Sequence, residues 1–250
     1  MRLRTVSCQG PGWRRVRRGR GFSYLDADGR SLAADQVERI HALVIPPAWT
    51  DVWICPDERG HLQAVGTDDA GRRQYLYHPE WRRKRDEVKF DRAIELGRRL
   101  PRVRTALRRD LAGAAADRDV VLAAAIRLVD LGCFRLGSEA YAEENGSFGL
   151  TTLQVRHVSP SAGARVFTFT GKSGVDHEIR ITDPGVVRVV DALRRQRRPS
   201  SRLLAARDGG RWQPVNPAEI NDCIRARFRL DVTAKDIRTW KATTTVAAEL

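Results

Sequence analysis

The 250-residue sequence has no long apolar run. Its longest apolar stretches, such as Val120 to Ile126, fall far short of the 18 or more residues that would mark a membrane-spanning helix. Met1-Arg2-Leu3-Arg4 leads into polar, Gly-rich sequence without an apolar segment, so no secretory signal is expected and a cytoplasmic location is. The four cysteines, at positions 8, 55, 133 and 223, lie too far apart for a CxxC metal site or a dense disulfide framework and read as reduced thiols. There is no paired Cys/His spacing and no carboxylate-rich loop, so no metal is expected. Neither GxxxxGK[ST] nor GxGxxG occurs, so no nucleotide and no other cofactor is expected. Lysine is scarce, at five of the forty-five basic residues. A GC-rich genome would account for Arg over Lys, but not for the surplus of positive over negative charge.

That surplus is large: 45 Lys and Arg against 31 Asp and Glu give a formal net charge of +14. It points to a polyanionic partner, since each neutralised backbone phosphate releases condensed counterions and adds to affinity. At this length one long or two modest domains are expected, and 42% hydrophobic residues can fill a core.

The hydrophobic pattern divides the chain in three. Residues 1–20 hold the run Arg14-Arg15-Val16-Arg17-Arg18-Gly19-Arg20, without periodicity, and read as a basic flexible arm that either contacts phosphate or is simply solvated. Residues 21–82 read as a small β-rich domain. Its strands are expected at 21–25, 49–54, 61–66 and 72–77, with a short helix over 35–43 that ends near Pro46-Pro47. Residues 83–250 turn mainly helical: 90–100 and 103–111, separated by Pro101, then 117–136, 186–194 and 217–228. Three short strands at 149–155, 164–170 and 177–181, joined by turns at 159–163 and 171–176, predict an antiparallel meander. The fold class is therefore α+β: a small β-rich N-terminal domain and a mostly α-helical domain carrying a three-stranded antiparallel sheet.

Three basic residues sit where a packed element meets a turn: Arg135 before Gly137, Lys172 within Gly171-Lys172-Ser173-Gly174, and Arg238 at the start of the last helix. Brought together, two guanidinium groups can hold nonbridging phosphate oxygens and an ammonium can protonate a leaving alkoxide, which is phosphoryl transfer without a metal. Taken singly, each has an ordinary alternative. Arg135 could be a helix C-terminal cation, Lys172 a hairpin-tip charge, and Arg238 a partner for Asp236 or a capping contact.

Cys133-Phe134-Arg135-Leu136-Gly137, the stretch from Gly171 to Glu178, and Lys235-Asp236-Ile237-Arg238-Thr239-Trp240 resemble the three basic catalytic motifs of type IB DNA topoisomerases, especially the small poxviral and bacterial ones. They occur in that family's order, with Gly149-Leu150-Thr151-Thr152-Leu153 between the first two. The stretch from Gly71 to Tyr77 is similar to the segment by which the family's N-terminal domain contacts duplex DNA, and Lys84-Arg85-Asp86 resembles the residues that come after that segment in the family. The resemblance implies a bilobed clamp on double-stranded DNA and a tyrosine that attacks one strand to leave a 3′-phosphotyrosyl link. Strand rotation and religation then relax supercoils without ATP or metal. It also implies Arg135 and Arg238 as phosphate clamps, Lys172 as general acid, and Arg72, Gln74, Tyr75, Tyr77, Lys84 and Arg85 as DNA contacts. A monomer, cytoplasmic and associated with the bacterial nucleoid, is expected, with no membrane partner.

The pattern departs from the family at one point. There, a histidine and then the nucleophilic tyrosine lie beyond the helix of the second Arg motif. Here Tyr24, Tyr75, Tyr77 and Tyr141 all precede Arg238, and Ala247-Ala248-Glu249-Leu250 carries no helix stop. The expectation is a C-terminally truncated catalytic domain that binds DNA without cleaving it. Two alternatives remain: a noncatalytic duplex-binding protein, and a tyrosine recombinase-like protein. Against the second, recombinases generally place a helical domain where this chain has strands.

Overall fold

The computed structural model describes residues 2–249, apart from the side chains of Ala140 and Tyr141. The chain forms two compact units, residues 1–89 and 90–250. The fold class is α+β, with a strand-rich first unit and a mainly helical second one.

The first unit is one five-stranded antiparallel sheet in the order β2-β1-β3-β4-β5. Its strands are β1 (Trp13–Arg18), β2 (Gly21–Leu25), β3 (Thr50–Ile54), β4 (Leu62–Thr67) and β5 (Arg73–Tyr77), with helix α1 (Ala34–Ala42) between β2 and β3. Ile40 of α1 joins Trp13, Val52, Ile54 and Ala64 in a small core. The basic run expected as a flexible arm is instead β1, paired with β2 on one side and β3 on the other. Composition alone misleads here because tertiary contacts hold the run. Trp13 is buried, and the Arg15 guanidinium donates to the Ile45 and Pro46 carbonyls at 3.3 and 3.0 Å while stacking 4.2 Å from the Phe22 ring.

Helix α2 (Pro79–Asp110) is continuous through Pro101, where the sequence predicts a break. A mid-helix proline removes a hydrogen bond and presses its ring on the preceding turn, at a cost of about 3 kcal/mol. Here Leu96, Leu100, Val103 and Leu107 form a buried stripe on one helix face, and packing along that stripe outweighs the local cost.

The second unit is built around helix α3 (Arg118–Gly132), in which every residue from Val120 to Asp130 is buried. Around it lie α4 (Glu139–Asn145), the sheet β6-β7-β8, α5 (Pro184–Arg195), the hairpin β9 (Ala205–Asp208) with β10 (Arg211–Pro214), α6 (Pro217–Phe228) and α7 (Ala234–Glu249). The meander is present, but its first strand is β6 (Val158–Ser161), not 149–155; β7 (Ala164–Thr170) and β8 (Asp176–Ile181) fall where expected. Residues 149–153 instead close on themselves, with the Thr152 and Leu153 N–H groups both donating to the Gly149 carbonyl at 2.9 Å. Pro160 is tolerated because β6 is an edge strand.

Inside this unit a chain of charges crosses three helices. Asp130, buried, accepts from Arg104 of α2 at 2.7 and 2.8 Å and from Arg127 of its own helix at 2.5 Å. Arg127 also donates to Asp183 at 3.0 Å, and the other oxygen of Asp183 caps α5 at the Val186 N–H, 3.2 Å away. Every charge in this series has at least one opposite partner, which is the condition for tolerating ions in an interior. Asp130→Ala is expected to lower unfolding stability by about 3 kcal/mol, because it removes one of the two carboxylates that pair the buried Arg127 and the one that pairs Arg104. Arg83→Ala, which breaks only exposed pairs, is expected to change it by about 0.5 kcal/mol or less. Denaturant midpoints of the two variants compare them directly.

Candidate active site

Helix α3 ends because Cys133 adopts a left-handed conformation (φ 55°, ψ 27°) and donates its N–H to the Val129 carbonyl at 3.1 Å. The next side chain, Phe134, points inward and packs edge-on to Phe167 and parallel to Phe169, with ring centroids 5.1 and 5.9 Å away. Burying Phe134 turns Arg135 outward, where it is exposed.

The segment 149–152 buttresses this loop. The Leu150 N–H donates to the Arg135 carbonyl at 2.7 Å, and both the N–H and the hydroxyl of Thr151 donate to the Leu136 carbonyl, at 2.8 and 2.7 Å. Such proximity needs two glycines. A Cβ at Gly149 would lie 2.5 Å from the Gly137 Cα, and Gly137 itself has φ +93°.

Lys172 sits in the turn between β7 and β8. Gly171 N–H donates to the Val175 carbonyl at 2.7 Å, closing the loop, and Ser173 (φ 65°) and Gly174 (φ 73°) carry the reversal. Thr170 donates to Asp176 across its base at 2.7 Å. The Lys172 side chain is exposed at the tip.

Arg238 lies in the first turns of α7. Asp236 does not pair with it; its carboxylate accepts the Thr233 N–H at 2.8 Å and the Thr233 hydroxyl at 2.7 Å, fixing the helix start. Arg238 Nε donates to the Cys133 carbonyl at 2.9 Å, joining α7 directly to the end of α3. Partial burial, and secondarily the like charge of Arg135, push its guanidinium below the usual arginine value, while Cys133 acts weakly the other way. Further along α7, the Trp240 ring occupies the space beside Gly97 of α2, where a Cβ would collide with it.

Arg135, Lys172 and Arg238, far apart in sequence, therefore line one cavity of about 320 Å³. Among the described residues no carboxylate lines it. Phe148, Phe169 and His177 complete the wall, with the His177 ring 5.2 Å from Phe169. Sequence reasoning alone gives His177 no part in a site. Its position is legible all the same, since the two-residue spacing from His177 to Ile179 and Ile181 puts all three on one face of β8. The Cys133 carbonyl has no sequence signal, because its role depends on a backbone turn.

In the first unit, β5 is an edge strand with alternating exposure. Tyr75 and Tyr77 are 48% and 37% exposed and stack on each other at 6.2 Å, so they are not core residues. Arg72 and Gln74 are both tied to Asp68, at 2.9 and 2.8 Å, while Lys84 and Arg85 are exposed on α2. Arg85 also lies 5.8 Å over the Trp81 ring, and Trp81 meets His61 edge-on at 4.7 Å. The Arg72 N–H and side chain, with the Gln74 amide, hold the Asp68 carboxyl down to about 2.

Among the described residues no cluster of three or more His, Cys, Asp or Glu is placed to hold a metal ion, and no helix is long and apolar enough to cross a membrane.

Family comparisons match both units. Residues 78–250 match the family described as eukaryotic DNA topoisomerase I, catalytic core, and residues 21–68 match that of the bacterial DNA topoisomerase IB N-terminal domain. The DNA topoisomerase 1B of Acanthamoeba polyphaga mimivirus is 30% identical over 224 residues, covering 88% of this chain and 66% of the viral protein. The DNA topoisomerase 1B of Vaccinia virus (strain Copenhagen) is 27% identical over 213 residues, covering 81% and 63%. The chain thus spans just under two thirds of the length of these relatives.

Two outcomes test the local geometry. Gly149→Ala is expected to cost about 1–3 kcal/mol, because its Cβ drives the 149–152 segment off the Arg135 loop; a variant as stable as the parent would show that the close approach is not maintained in solution. For Asp68, a folded-state value near 2 lies below the ordinary value of about 4, so its bonds contribute above pH ~4 and are lost as pH falls through ~2. A carboxyl carbon titration by NMR should give a midpoint near 2, and one near 4 would contradict the turn as described.

Proposed function

The chain belongs to the type IB DNA topoisomerase family, and on that premise we propose that the cavity of Arg135, Lys172 and Arg238 receives one phosphodiester of duplex DNA. The observation that carries this reading is the convergence of three cations from three distant segments on a cavity without a carboxylate. Such a site attracts an anion with nothing of its own to neutralise it.

With Nε of Arg238 committed to the Cys133 carbonyl, its two terminal nitrogens remain for nonbridging oxygens. Arg135, exposed and without a carboxylate partner among the described residues, supplies a second guanidinium to the same group. Their part is to stabilise charge that grows on the phosphoryl oxygens as the phosphorus becomes five-coordinate. Lys172, at the tip of the β7-β8 turn, is the group to deliver a proton to the departing 5′ oxygen. Neither a nucleotide nor a metal enters this scheme.

Tyr75 and Tyr77, with Arg72, Gln74, Lys84 and Arg85, form the proposed duplex contacts of the first unit. Support comes from the exposure of both rings on an edge strand and the surrounding positive charge. One chain carries the whole cationic set, consistent with a monomer. The match to a bacterial N-terminal domain fits work on nucleoid DNA in the cytoplasm.

Cleavage by these 250 residues is a separate matter. The nucleophile in the family is a tyrosine, and none follows Tyr141 in the sequence; among the described residues, whose side chains do not include that of Tyr141, none lining the cavity is a tyrosine. The reading is that this chain binds duplex DNA and holds a phosphodiester without forming a covalent link. The test is denaturing capture of a DNA-linked protein, run alongside relaxation of a supercoiled plasmid. No adduct and no relaxation are expected from these 250 residues, and an adduct would overturn that expectation. In gel shifts, Arg135→Ala/Arg238→Ala should weaken binding and lower the slope of log affinity against log salt by about 2. An unchanged slope would remove the cavity from the DNA site.

A further inference from the structure

The widest cavity described in the second unit is not the one above. It is a groove of about 840 Å³ between α2 and the C-terminal end of α6, and the two share no residue. Five arginines line it: Arg99, Arg102, Arg109, Arg227 and Arg229. Among the described residues its lining holds no acidic side chain.

The five divide by what they already hold. Arg99 bonds Glu95 at 2.8 Å and donates to the Phe228 and Arg229 carbonyls at 2.7 and 2.9 Å, which satisfies the end of α6 and cancels the negative pole of that helix. Arg227 is paired with Asp110. Arg102, Arg109 and Arg229 are exposed and have no carboxylate or carbonyl partner among the described residues. Arg229 is also in a left-handed backbone conformation (φ 51°, ψ 41°), uncommon for a side chain other than glycine, Asn or Asp. Three unneutralised guanidinium groups therefore face one groove whose walls are stitched together by the other two.

We infer that this groove is a second phosphate-binding surface of the catalytic unit, occupied by a nucleic-acid phosphodiester backbone away from the reacting phosphate. The planar forks of arginine match phosphate oxygens two at a time. Spacing argues for a chain of phosphates over a single ion. Arg102 and Arg109 lie seven residues apart on one helix, about 10 Å along its axis, farther than one phosphate bridges. The inference rests on the reading of the protein as a duplex binder and adds a place on the surface that the catalytic motifs do not mark.

The experiment uses the whole chain with Arg102→Ala/Arg109→Ala/Arg229→Ala, all three exposed, so that folding can be verified by an unchanged denaturant midpoint. Fluorescence anisotropy of a labelled duplex is followed between about 50 and 200 mM salt. The expected result is binding roughly tenfold or more weaker, with the salt slope reduced by about 2 to 3. Arg102→Lys/Arg109→Lys/Arg229→Lys, which keeps the charges, should recover most of the slope even if the alanine variant is poorly folded. Unchanged affinity and slope in a folded alanine variant would overturn the inference while leaving the catalytic cavity standing. Failure of the parent chain to bind duplex at all would instead overturn the underlying function. A third arm adds inorganic tripolyphosphate. If the alanine changes abolish its binding but leave the DNA slope intact, the groove serves a small polyphosphate and the assignment to a DNA backbone falls.

Discussion

The second unit depends on one arrangement, the burial of α3 on all sides with a charged rung through it. A helix whose residues from Val120 to Asp130 are all inaccessible has no solvent face on which to place Arg127 and Asp130. They pair with each other along the helix, and each also takes a partner from a neighbouring element: Arg104 on α2 for Asp130 and Asp183 at the start of α5 for Arg127, which ties those helices to α3. Hydrophobic contact alone would tolerate sliding, since apolar side chains interdigitate in more than one way. The charge chain has a single register. It therefore fixes the end of α3, and the end of α3 is where the Arg135 loop begins.

Arginine serves two purposes in this molecule, and the distinction bears on the net charge of +14. Many guanidinium groups are internal clamps on backbone carbonyls: Arg15 on the 45–46 loop, Arg39 on Cys55 and Pro56, Arg99 on the end of α6, Arg202 on Thr152. A planar fork with five donors can close a loop by satisfying several orphan carbonyls at once, which an ammonium on a flexible stem does less well. The preference for Arg over Lys thus has a structural use in addition to any codon bias. Positive charge available to a polyanion is concentrated in fewer places than the total suggests, among them the Arg135-Lys172-Arg238 cavity and the groove between α2 and α6, neither of which has a carboxylate among its described lining residues.

Most of the elements were legible in the sequence where local pattern and tertiary context agree. The runs at 21–25, 49–54 and 72–77 and the β7-β8 hairpin contain strands because strand-forming residues and the turns that bound them point the same way, with burial alternating along β5 and β8. Legibility failed where long-range contacts decide. Arg-rich β1 is a strand because β2 and β3 pair with it on both sides and the 45–46 carbonyls receive Arg15. Pro101 stays in a helix because the buried stripe on α2 continues past it. Residues 149–155 looked like a strand from Leu, Thr and Val content, yet Leu150 to Leu153 are all buried in succession, which no half-buried strand allows. The hairpin of β9 and β10 and the short α4 had no signal strong enough to predict. For the site, Arg135, Lys172 and Arg238 were visible as motifs, but their convergence required the fold.

How Arg238 is held shows what the fold adds to a motif. An arginine at the start of a helix could point in several directions, and its side chain has enough rotatable bonds to make orientation costly. Here Asp236, the acid two residues before it, is occupied by Thr233, so it cannot draw the guanidinium back along the helix. The Cys133 carbonyl instead takes Nε. That carbonyl is available because Cys133 leaves the helical conformation one residue after α3 ends, in the turn that also sends Arg135 outward. One backbone event thus frees the carbonyl that holds Arg238 and turns Arg135 outward, and the like charge of Arg135 faces a guanidinium already held by a hydrogen bond. Under the proposed role of the cavity, preorganisation of this kind leaves less reorganisation to be done when a phosphate enters. It also makes the buried helix α3, whose last residue Gly132 lines the cavity, the element through which a distant core substitution would reach it.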